Sequence, residues 1–286
     1  MLGQRVTEFY LKDDGTEIFC ASAEDDSFIP DVQYLKTDIT KKSDIKTLMR
    51  AFYPDVVINA AAFTNVDKCE SEKEIAWKIN AEAVENLAKM CFAYNAHLIH
   101  ISTDYVFDGK KGPYFETDKV NPISYYGRTK LAGENAVVAS NAKYTIIRTN
   151  VLYGPAKYGR MDFVKWVVNS LHENKQINIV TDQINNPTFI DDLVGAINSA
   201  SAHAREGLYH IGGDEIFSRF EFTKRIAAYF DLDESLINPI ITSELKQPAP
   251  RPLKSGLINL KAETELGYKP MKVNETFAVI KKELNL

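Results

Sequence analysis

Short apolar runs alternate with longer amphipathic stretches along the first half of the chain. The runs predict strands at residues 17–21, 32–35, 55–59, 98–102 and 144–148. Helices that connect successive parallel strands must cover both faces of the sheet, so this alternation indicates a parallel, doubly wound arrangement. The sequence therefore predicts an α/β fold.

Helical periodicity fills the gaps between these strands. An opening helix runs from Met1 to near Gly15, and a second spans 43–52 with Ser43 as its N-cap. The longest helix covers 71–94, and its apolar positions are spaced to bury one face: Ile75, Ile79, Val84, Leu87 and Met90. Beyond residue 150, helices are predicted at 163–172, 191–201 and 218–230, strands at 177–180 and 208–211, and two short helical patterns that end at Leu286.

Composition narrows the classes of partner. The net charge of −5 argues against nucleic acid or an anionic membrane, and no apolar run approaches the ~20 residues that span a bilayer. The three cysteines, Cys20, Cys69 and Cys91, form no close pair, which predicts buried thiols in a reducing cytoplasm. His97 and His100 would point to opposite faces of one strand, so we expect no metal site there.

Candidate chemistry centres on a tyrosine and a lysine four residues apart. Tyr126 and Lys130 share one face of a predicted helix, after the turn signal Asn121-Pro122. A neighbouring cation lowers the pKa of a phenol, which then serves as general acid or base at a carbonyl oxygen. Thr103 lies at the carboxyl end of a predicted strand, where open α/β sheets bind their ligands, and could hold the same oxygen.

Several segments together resemble one family. They are VINAAAFTNVD (57–67), ISTDYVF (101–107), YGRTKLAGE (126–134), RT (148–149) with YG (153–154), NPT (186–188) and RP (251–252). As a set, they resemble extended short-chain dehydrogenases/reductases, and within these the dTDP-4-dehydrorhamnose reductase family. The resemblance implies a Rossmann-like dinucleotide-binding domain over 1–149. It also implies a smaller, mainly substrate-binding part over 150–286, interleaved with the first.

The resemblance implies a cytoplasmic oxidoreductase that reduces the C4 ketone of a dTDP-linked 4-keto-6-deoxy sugar. The cofactor would be NADPH, with NADH an open alternative, and the product dTDP-L-rhamnose for cell-wall polysaccharide. By analogy, Tyr126 donates the proton, Lys130 lowers the tyrosine pKa and holds the nicotinamide ribose, and Thr103 hydrogen-bonds the reacting oxygen. A homodimer is left open.

The same resemblance assigns binding residues. Asp38 and Ile39 would lie beside the adenine, and Gly3 would end the phosphate-binding turn. Small side chains would let the cofactor backbone approach at Ala60, Ala61 and Ala62. Sugar or nucleotide contacts would come from Thr64, Val66, Thr103, Asp104, Tyr105 and Arg251.

Some of these residues also have a purely structural interpretation. Asp104 is equally well placed as a loop or N-cap residue, and Arg251 as a solvated loop charge, although a diphosphate needs such a donor. Asp67 and Glu70 are typical of a charged helix start as much as of a site.

The chain departs from the family pattern at three places. Family members begin with a strand that feeds a Gly-x-x-Gly-x-x-Gly turn, but here only Gly3 stands where the last glycine would be. We therefore expect that a longer chain exists, with an in-frame strand and glycines upstream. The segment 21–23 carries neither an acid for a ribose hydroxyl nor an arginine for a 2′-phosphate, and 150–152 lacks an aromatic to pack on the sugar.

Two other functions stay open. One is a different nucleotide-sugar enzyme, an epimerase or a dehydratase, since Asp104 beside Thr103 could supply the extra acid of a dehydratase. The other is a non-catalytic regulatory subunit that binds a dinucleotide and a partner enzyme, because the segment 150–154 (NVLYG) resembles that branch.

Overall fold

Strands and helices alternate along residues 1–155, 158–159 and 161–284, which are described by a computed structural model. The strands are β1 (Phe19–Ser22), β2 (Gln33–Lys36), β3 (Val56–Asn59), β4 (His97–Thr103), β5 (Tyr144–Thr149), β6 (Leu152–Tyr153), β7 (Ile177–Val180), β8 (Ile184–Asn185), β9 (Thr188–Phe189), β10 (Gly207–Ile211), β11 (Phe217–Ser218) and β12 (Ile237–Ile240). The helices are α1 (Leu2–Tyr10), α2 (Lys42–Phe52), α3 (Val66–Ser71), α4 (Lys73–Trp77), α5 (Ala83–Tyr94), α6 (Tyr125–Ala139), α7 (Phe163–His172), α8 (Ile190–Ala202), α9 (Arg219–Phe230), α10 (Leu260–Leu266) and α11 (Val273–Leu284).

The main sheet has four parallel strands in the order β10-β5-β4-β3. Thr103 lies opposite Thr149 at the carboxyl end of the β4–β5 pair, and Thr149 lies opposite Ile211 of β10. The predicted parallel sheet is thus confirmed. Because β10 comes from beyond residue 150, the later part of the chain contributes to the same sheet.

Helices cover both faces of this sheet. Ile99 and Ile147 face a core built with Leu2 of α1 and with Leu193 and Ile197 of α8. Their strand neighbours Leu98 and Ile146 face the opposite core, formed with α2 and α5. Successive residues of a strand point to opposite faces, so one apolar run supplies both cores.

The first two strands stand apart from the main sheet. β1 and β2 form a parallel pair, with Phe19 opposite Gln33, and no register joins β1 to β3 in the part of the chain that the structure describes. In the family, the strand that precedes the glycine turn would lie next to β1 and next to β3. The expectation of a longer chain stays a prediction.

The predicted long helix contains a wider turn. A π-helical segment, Lys78–Glu82, separates α4 from α5. The extra residue of such a turn rotates the buried face. Ile75 is therefore exposed, contrary to the prediction, and Ala76 and Asn80 are buried in its place.

The later part of the chain has a separate aromatic core. Helices α7, α9 and α11 pack around Tyr153, Phe222 and Phe277, next to the parallel pair β7–β12. Ser218 begins α9 with a reciprocal capping box to Glu221, as its position predicted. The predicted end at Leu286 falls outside the described residues.

The start of α2 differs from the prediction. Ser43 is not the N-cap, because the helix begins at Lys42 and Lys41 precedes it. The hydroxyl of Ser43 donates to Asp44 Oδ1 at 3.0 Å, and Asp44 Oδ2 accepts from the Asp38 N–H at 3.2 Å. The neighbouring aspartate, rather than the serine, therefore contacts the incoming loop.

The thiols and the helix lengths complete this description. Cys69 and Cys91 are buried and Cys20 is half-buried, and all three are free. Burial raises the pKa of Cys69 to about 11 and that of Cys91 to about 12. None of the described helices combines the length and the apolar character needed to cross a lipid bilayer.

Candidate active site

The carboxyl end of β4 delivers Thr103 to the edge of the sheet. Thr103 has extended backbone angles, and its Oγ1 accepts a hydrogen bond from the Tyr105 N–H at 3.2 Å. This bond starts a short 3₁₀ turn, Asp104–Val106, so the chain leaves the sheet immediately after the threonine. The hydroxyl of Thr103 is thereby fixed at the place where the tyrosine helix begins.

Helix α6 starts beside this turn. Ser124 caps it by accepting from the Gly127 N–H at 3.1 Å, and Glu70 accepts from the Tyr125 N–H at 2.8 Å. A side chain at Gly127 would lie 2.2 Å from the Tyr105 carbonyl, so only glycine permits this close approach. Glu70 therefore contacts the start of α6, which agrees with its structural interpretation.

Tyr126 and Thr103 meet, as predicted. Tyr126 is half-buried, its ring lies edge-on to Tyr105 with centroids 5.6 Å apart, and its side chain lies close to Thr103. Burial, followed by the negative charge of Asp104, raises the pKa of Tyr126, and the nearby Thr103 hydroxyl opposes this rise. The phenol is therefore held in its protonated form, ready to donate.

The ammonium group of Lys130 has a different partner from the one predicted. It is buried and donates to the carbonyl of Ile101 at 2.7 Å. Burial lowers the pKa of Lys130 to about 8, and Glu134 opposes this. Burial and Asp104 raise the pKa of Tyr126 in this structure, and the expectation that Lys130 lowers this pKa stays a prediction.

Asp104 lies at the centre of a buried polar cluster. It is 2% exposed; Oδ1 accepts from Thr103 Oγ1 at 3.0 Å and Oδ2 accepts from Ser255 Oγ at 2.6 Å. Asn150 Nδ2 donates to the Ser255 carbonyl at 3.0 Å. Burial raises the pKa of Asp104 to about 6, against the hydrogen bonds from Ser255 and Thr103. Asp104 is thus a central buried group and not a solvated loop residue.

The residues assigned to a dinucleotide leave room for one. Ala60 and Ala61 are exposed beyond the end of β3, and a Cβ on Gly3 would meet no atom within 4 Å. Asp38 turns its carboxylate to the Thr40 N–H and hydroxyl, at 2.9 and 2.7 Å, so the backbone of Asp38 and Ile39 is held in place. Small side chains and open backbone fit the close approach of a cofactor.

Arg251 has a protein partner that the sequence did not predict. Its guanidinium group makes a two-point salt bridge to Asp67 at 2.9 and 2.8 Å and donates to the Ala249 carbonyl at 2.7 Å. These bonds use three of the five guanidinium N–H donors, and none of the described residues accepts from the other two. Thr64 is exposed and Val66 is half-buried at the adjoining helix start.

Sequence reasoning missed Arg219. This side chain lies over the ring of Phe163 at 4.5 Å, and its charge acts on both Tyr105 and Asp104. Burial and the nearby Arg251 lower its pKa, so two cations lie near the cluster. The sequence did contain a signal for Arg219, because this residue directly follows the Ser218 N-cap. A cation in the first turn of a helix opposes the helix dipole and is therefore unusual there.

Comparisons with known proteins agree with this geometry. A family model described as RmlD substrate binding domain matches residues 2–285. The chain is 36% identical to a dTDP-4-dehydrorhamnose reductase of Sinorhizobium fredii over 257 residues, which cover 84% of this chain and 86% of that protein. The crystal structure of dTDP-4-dehydrorhamnose reductase from Bacillus anthracis in complex with NADP has a TM-score of 0.84 and 32% identity, covering 99% of this chain and 95% of that one. Methionine adenosyltransferase 2 subunit beta of Xenopus tropicalis is 34% identical over 229 residues, covering 78% of this chain and 68% of that one.

Proposed function

Since this chain belongs to the RmlD substrate binding domain family, we propose that it is a dTDP-4-dehydrorhamnose reductase. It reduces the C4 ketone of dTDP-4-dehydro-6-deoxy-L-mannose to a hydroxyl group, with NADPH as the cofactor. The observation that carries the proposal is the meeting of Tyr126 and Thr103 at the carboxyl end of β4. Relatives that bear this name match most of the chain.

In this proposal each central side chain has one task. Tyr126 gives its proton to the C4 oxygen, and the raised pKa keeps that proton in place until the oxygen becomes basic. Thr103 hydrogen-bonds the same oxygen and orients the ketone. Lys130 supports this face of α6 and would hold the nicotinamide ribose hydroxyls.

NADPH supplies the hydride when it is bound. The residues that would hold it are Gly3, Asp38 and Ile39, with the small side chains of residues 60–62 next to the pyrophosphate. Exposed alanines at the end of β3 support this placement. The earlier division therefore stands as part of the proposal, with 1–149 binding the cofactor and 150–286 mainly the substrate.

The substrate carries a diphosphate, which needs cationic donors. Arg251 has two unused N–H donors in the described chain, and the charges of both Arg251 and Arg219 act on Tyr105. The sugar and nucleotide would also contact Thr64, Val66, Asp104 and Tyr105. We further propose a cytoplasmic location, supported by three free thiols, and a homodimer, which analytical ultracentrifugation would test.

The test is turnover of the keto sugar by the purified chain. Mixed with NADPH and dTDP-4-dehydro-6-deoxy-L-mannose, the chain should oxidise one NADPH for each dTDP-L-rhamnose formed. The same assay without the sugar is the control. Formation of an epimer or a dehydrated sugar without net NADPH oxidation would instead indicate another nucleotide-sugar enzyme.

A second candidate is a non-catalytic dinucleotide-binding subunit. The observation in its favour is the 34% identity to methionine adenosyltransferase 2 subunit beta, together with the segment 150–154. Calorimetric titration with NADPH separates the two functions. Tight cofactor binding with no turnover of the sugar would favour the regulatory role.

A further inference from the structure

Ser255 reaches the site on a buried segment from the later part of the chain. Its N–H donates to the Ile184 carbonyl at 2.9 Å, and its own carbonyl accepts from Asn150 at 3.0 Å. The preceding Lys254 N–H donates to the Gly109 carbonyl at 2.9 Å. These bonds hold the segment on several sides. The Ser255 hydroxyl, in a residue that is 2% exposed, has Asp104 as its sole hydrogen-bond partner in the described chain.

Two hydroxyl groups therefore donate hydrogen bonds to one buried carboxyl group. Thr103 contacts Oδ1 of Asp104 and Ser255 contacts Oδ2. The ionisable groups that face Asp104 are Tyr126, Tyr105 and Arg219, and no ion pair to it forms within residues 1–155, 158–159 and 161–284. Burial without a paired cation favours the protonated carboxyl, in line with a pKa raised to about 6.

The charge of Asp104 decides where the Thr103 hydrogen points. An ionised carboxylate only accepts hydrogen bonds, so the single hydrogen of the Thr103 hydroxyl must be directed at it. Thr103 Oγ1 then has only lone pairs to offer, and one already accepts from the Tyr105 N–H. In that state Thr103 cannot donate to a substrate oxygen.

A protonated Asp104 reverses this arrangement. Ser255 has no other acceptor in the described chain, so its hydrogen occupies Oδ2 and the carboxyl proton is placed on Oδ1, facing Thr103. Asp104 then donates to Thr103 Oγ1, and the Thr103 hydrogen is released to point to another acceptor.

We infer, on the basis of the proposed reductase function, that Ser255 is a positioning residue that directs the Asp104 proton toward Thr103. The Thr103 hydroxyl thereby becomes a donor to the C4 oxygen of the sugar. No net proton leaves Asp104 in this step, because the proton that forms the product hydroxyl comes from Tyr126.

The first test is independent of turnover. The full chain with carbon-13 in its aspartate carboxyl groups is titrated by NMR, and Asp104→Asn identifies the signal. Asp104 should titrate near pH 6, and Ser255→Ala should shift this midpoint upward by about 1 pH unit, because a donor to the charged form is lost. Ser43→Ala is the matched control, since the Ser43 hydroxyl also donates to an aspartate, Asp44, at 3.0 Å but on the surface, and it should leave the Asp104 midpoint unmoved. A midpoint below pH 5, or one that Ser255→Ala leaves unmoved, overturns the inference.

The second test is kinetic. Ser255→Ala should lower kcat about tenfold at pH 6 with KM changed less than twofold, and Ser255→Thr, which keeps the hydroxyl, should restore it. In the wild type, kcat/KM should fall between pH 6 and pH 8 as Asp104 ionises. The ratio of kcat/KM at pH 6 to kcat/KM at pH 8 should therefore exceed 1 in the wild type. In Asp104→Asn, whose amide group donates at every pH, this ratio should approach 1. A ratio in Asp104→Asn that equals the wild-type ratio overturns the inference.

Failure of the proposed function gives a different pattern. A wild-type chain without turnover contradicts the reductase assignment, whereas the NMR titration still decides whether Ser255 controls the Asp104 proton.

Discussion

Tyr126 keeps its proton for a physical reason that lies in its surroundings. Burial and the adjacent Asp104 disfavour the phenolate, and the raised pKa makes the group a donor first and a base second. This suits the direction in which a ketone is reduced. The same surroundings predict slow catalysis of the reverse oxidation near neutral pH.

Removing the Tyr126 hydroxyl should abolish most of the turnover. Tyr126→Phe is expected to lower kcat by about 10²- to 10⁴-fold, the usual contribution of a positioned general acid, with little change in the Kd for NADPH. Stopped-flow kinetics and calorimetry measure the two quantities. Tyr125→Phe, one residue earlier on the same helix, is the control and should retain wild-type kcat. Equal losses in both variants would contradict the assignment.

At the scale of single residues, the sequence predicted which side chains belong to the site better than it predicted their hydrogen-bond partners. Tyr126 and Thr103 were found from spacing and strand position, and the structure brings them together. The partner of Lys130 could not be predicted, because a lysine on that face reaches both the phenol and the strand backbone, and burial decides between them. The burial of Asp104 depends on Ser255, 151 positions away.

Helix α6 is joined to β5 by a buried ion pair. Arg148 makes two hydrogen bonds to Glu134, at 2.9 and 2.7 Å, and both side chains are 5% exposed. Ser102 also donates to Glu134, so the pair links the helix to the strand that carries Thr103. The orientation of α6 over the sheet depends on this contact.

Breaking the pair should destabilise the fold strongly. Glu134→Gln leaves the Arg148 charge buried without a counterion, and the free energy of unfolding should fall by about 3–5 kcal/mol. Urea denaturation measures it. Glu85→Gln, in an exposed helical pair with Lys89, is the control and should cost at most about 1 kcal/mol. Similar losses in the two variants would argue against the buried pair as the anchor.

The π-helical turn holds the loop that follows β3. Asn80 accepts from the Phe63 N–H at 2.8 Å, donates to the Phe63 carbonyl at 3.0 Å, and donates to Thr129 Oγ1 at 3.0 Å. A side chain at Gly133 would lie 2.4 Å from the Asn80 carbonyl, so α6 packs directly on the turn. Loop, turn and helix are therefore joined by direct contacts into one unit.

Asn80→Ala should loosen this unit. It leaves the part-buried N–H of Phe63 without a partner and its carbonyl with only the Cys69 thiol at 3.8 Å, which should lower the free energy of unfolding by about 2 kcal/mol. Hydrogen exchange at the Phe63 amide should accelerate at the same time. Asn86→Ala, on α5 and with no side-chain hydrogen bond in the described chain, serves as the control. Unchanged exchange at Phe63 would refute the bridging role.

At the scale of elements, periodicity predicted most strands and helices. It failed at the π turn because one inserted residue shifts the buried face without changing the local composition, so Ile75 and Ala76 exchange roles. It also failed at the start of α2, since the N-cap is Lys41, which has no side-chain acceptor, and Asp44 in the first turn instead accepts from the Asp38 N–H of the preceding loop.

Across the whole molecule, residues 251–258 join the two parts of the chain. Arg251 pairs with Asp67 at one end of this segment, and Ser255 contacts Asp104 further along it. The pattern of short polar and Pro-rich residues gave no sign of these contacts, because segments without periodicity are placed only by their distant partners. The interleaving of β10 in the main sheet was equally dependent on long-range pairing.

Arg251→Gln should weaken substrate binding selectively. The variant loses both the Asp67 pair and the donors available to a diphosphate, so KM for the dTDP-sugar should rise about 10- to 100-fold, as expected for charge-assisted bonds of about 1.5–3 kcal/mol. The Kd for NADPH should change less than twofold. Arg225→Gln, in an exposed pair with Glu215, is the control. An equal rise in the Kd for NADPH would contradict the placement of Arg251 on the substrate side.

The labelling rates of Cys69 and Cys91 report how often the folded chain opens locally. Maleimides and disulfide reagents attack thiolates, and both groups are enclosed and remain protonated at neutral pH. Covalent labelling must therefore await a transient opening of α3 or α5, and mass spectrometry of each cysteine peptide would time the two openings separately. If a bound dinucleotide stabilises α3, the Cys69 peptide should be labelled more slowly in the presence of the dinucleotide.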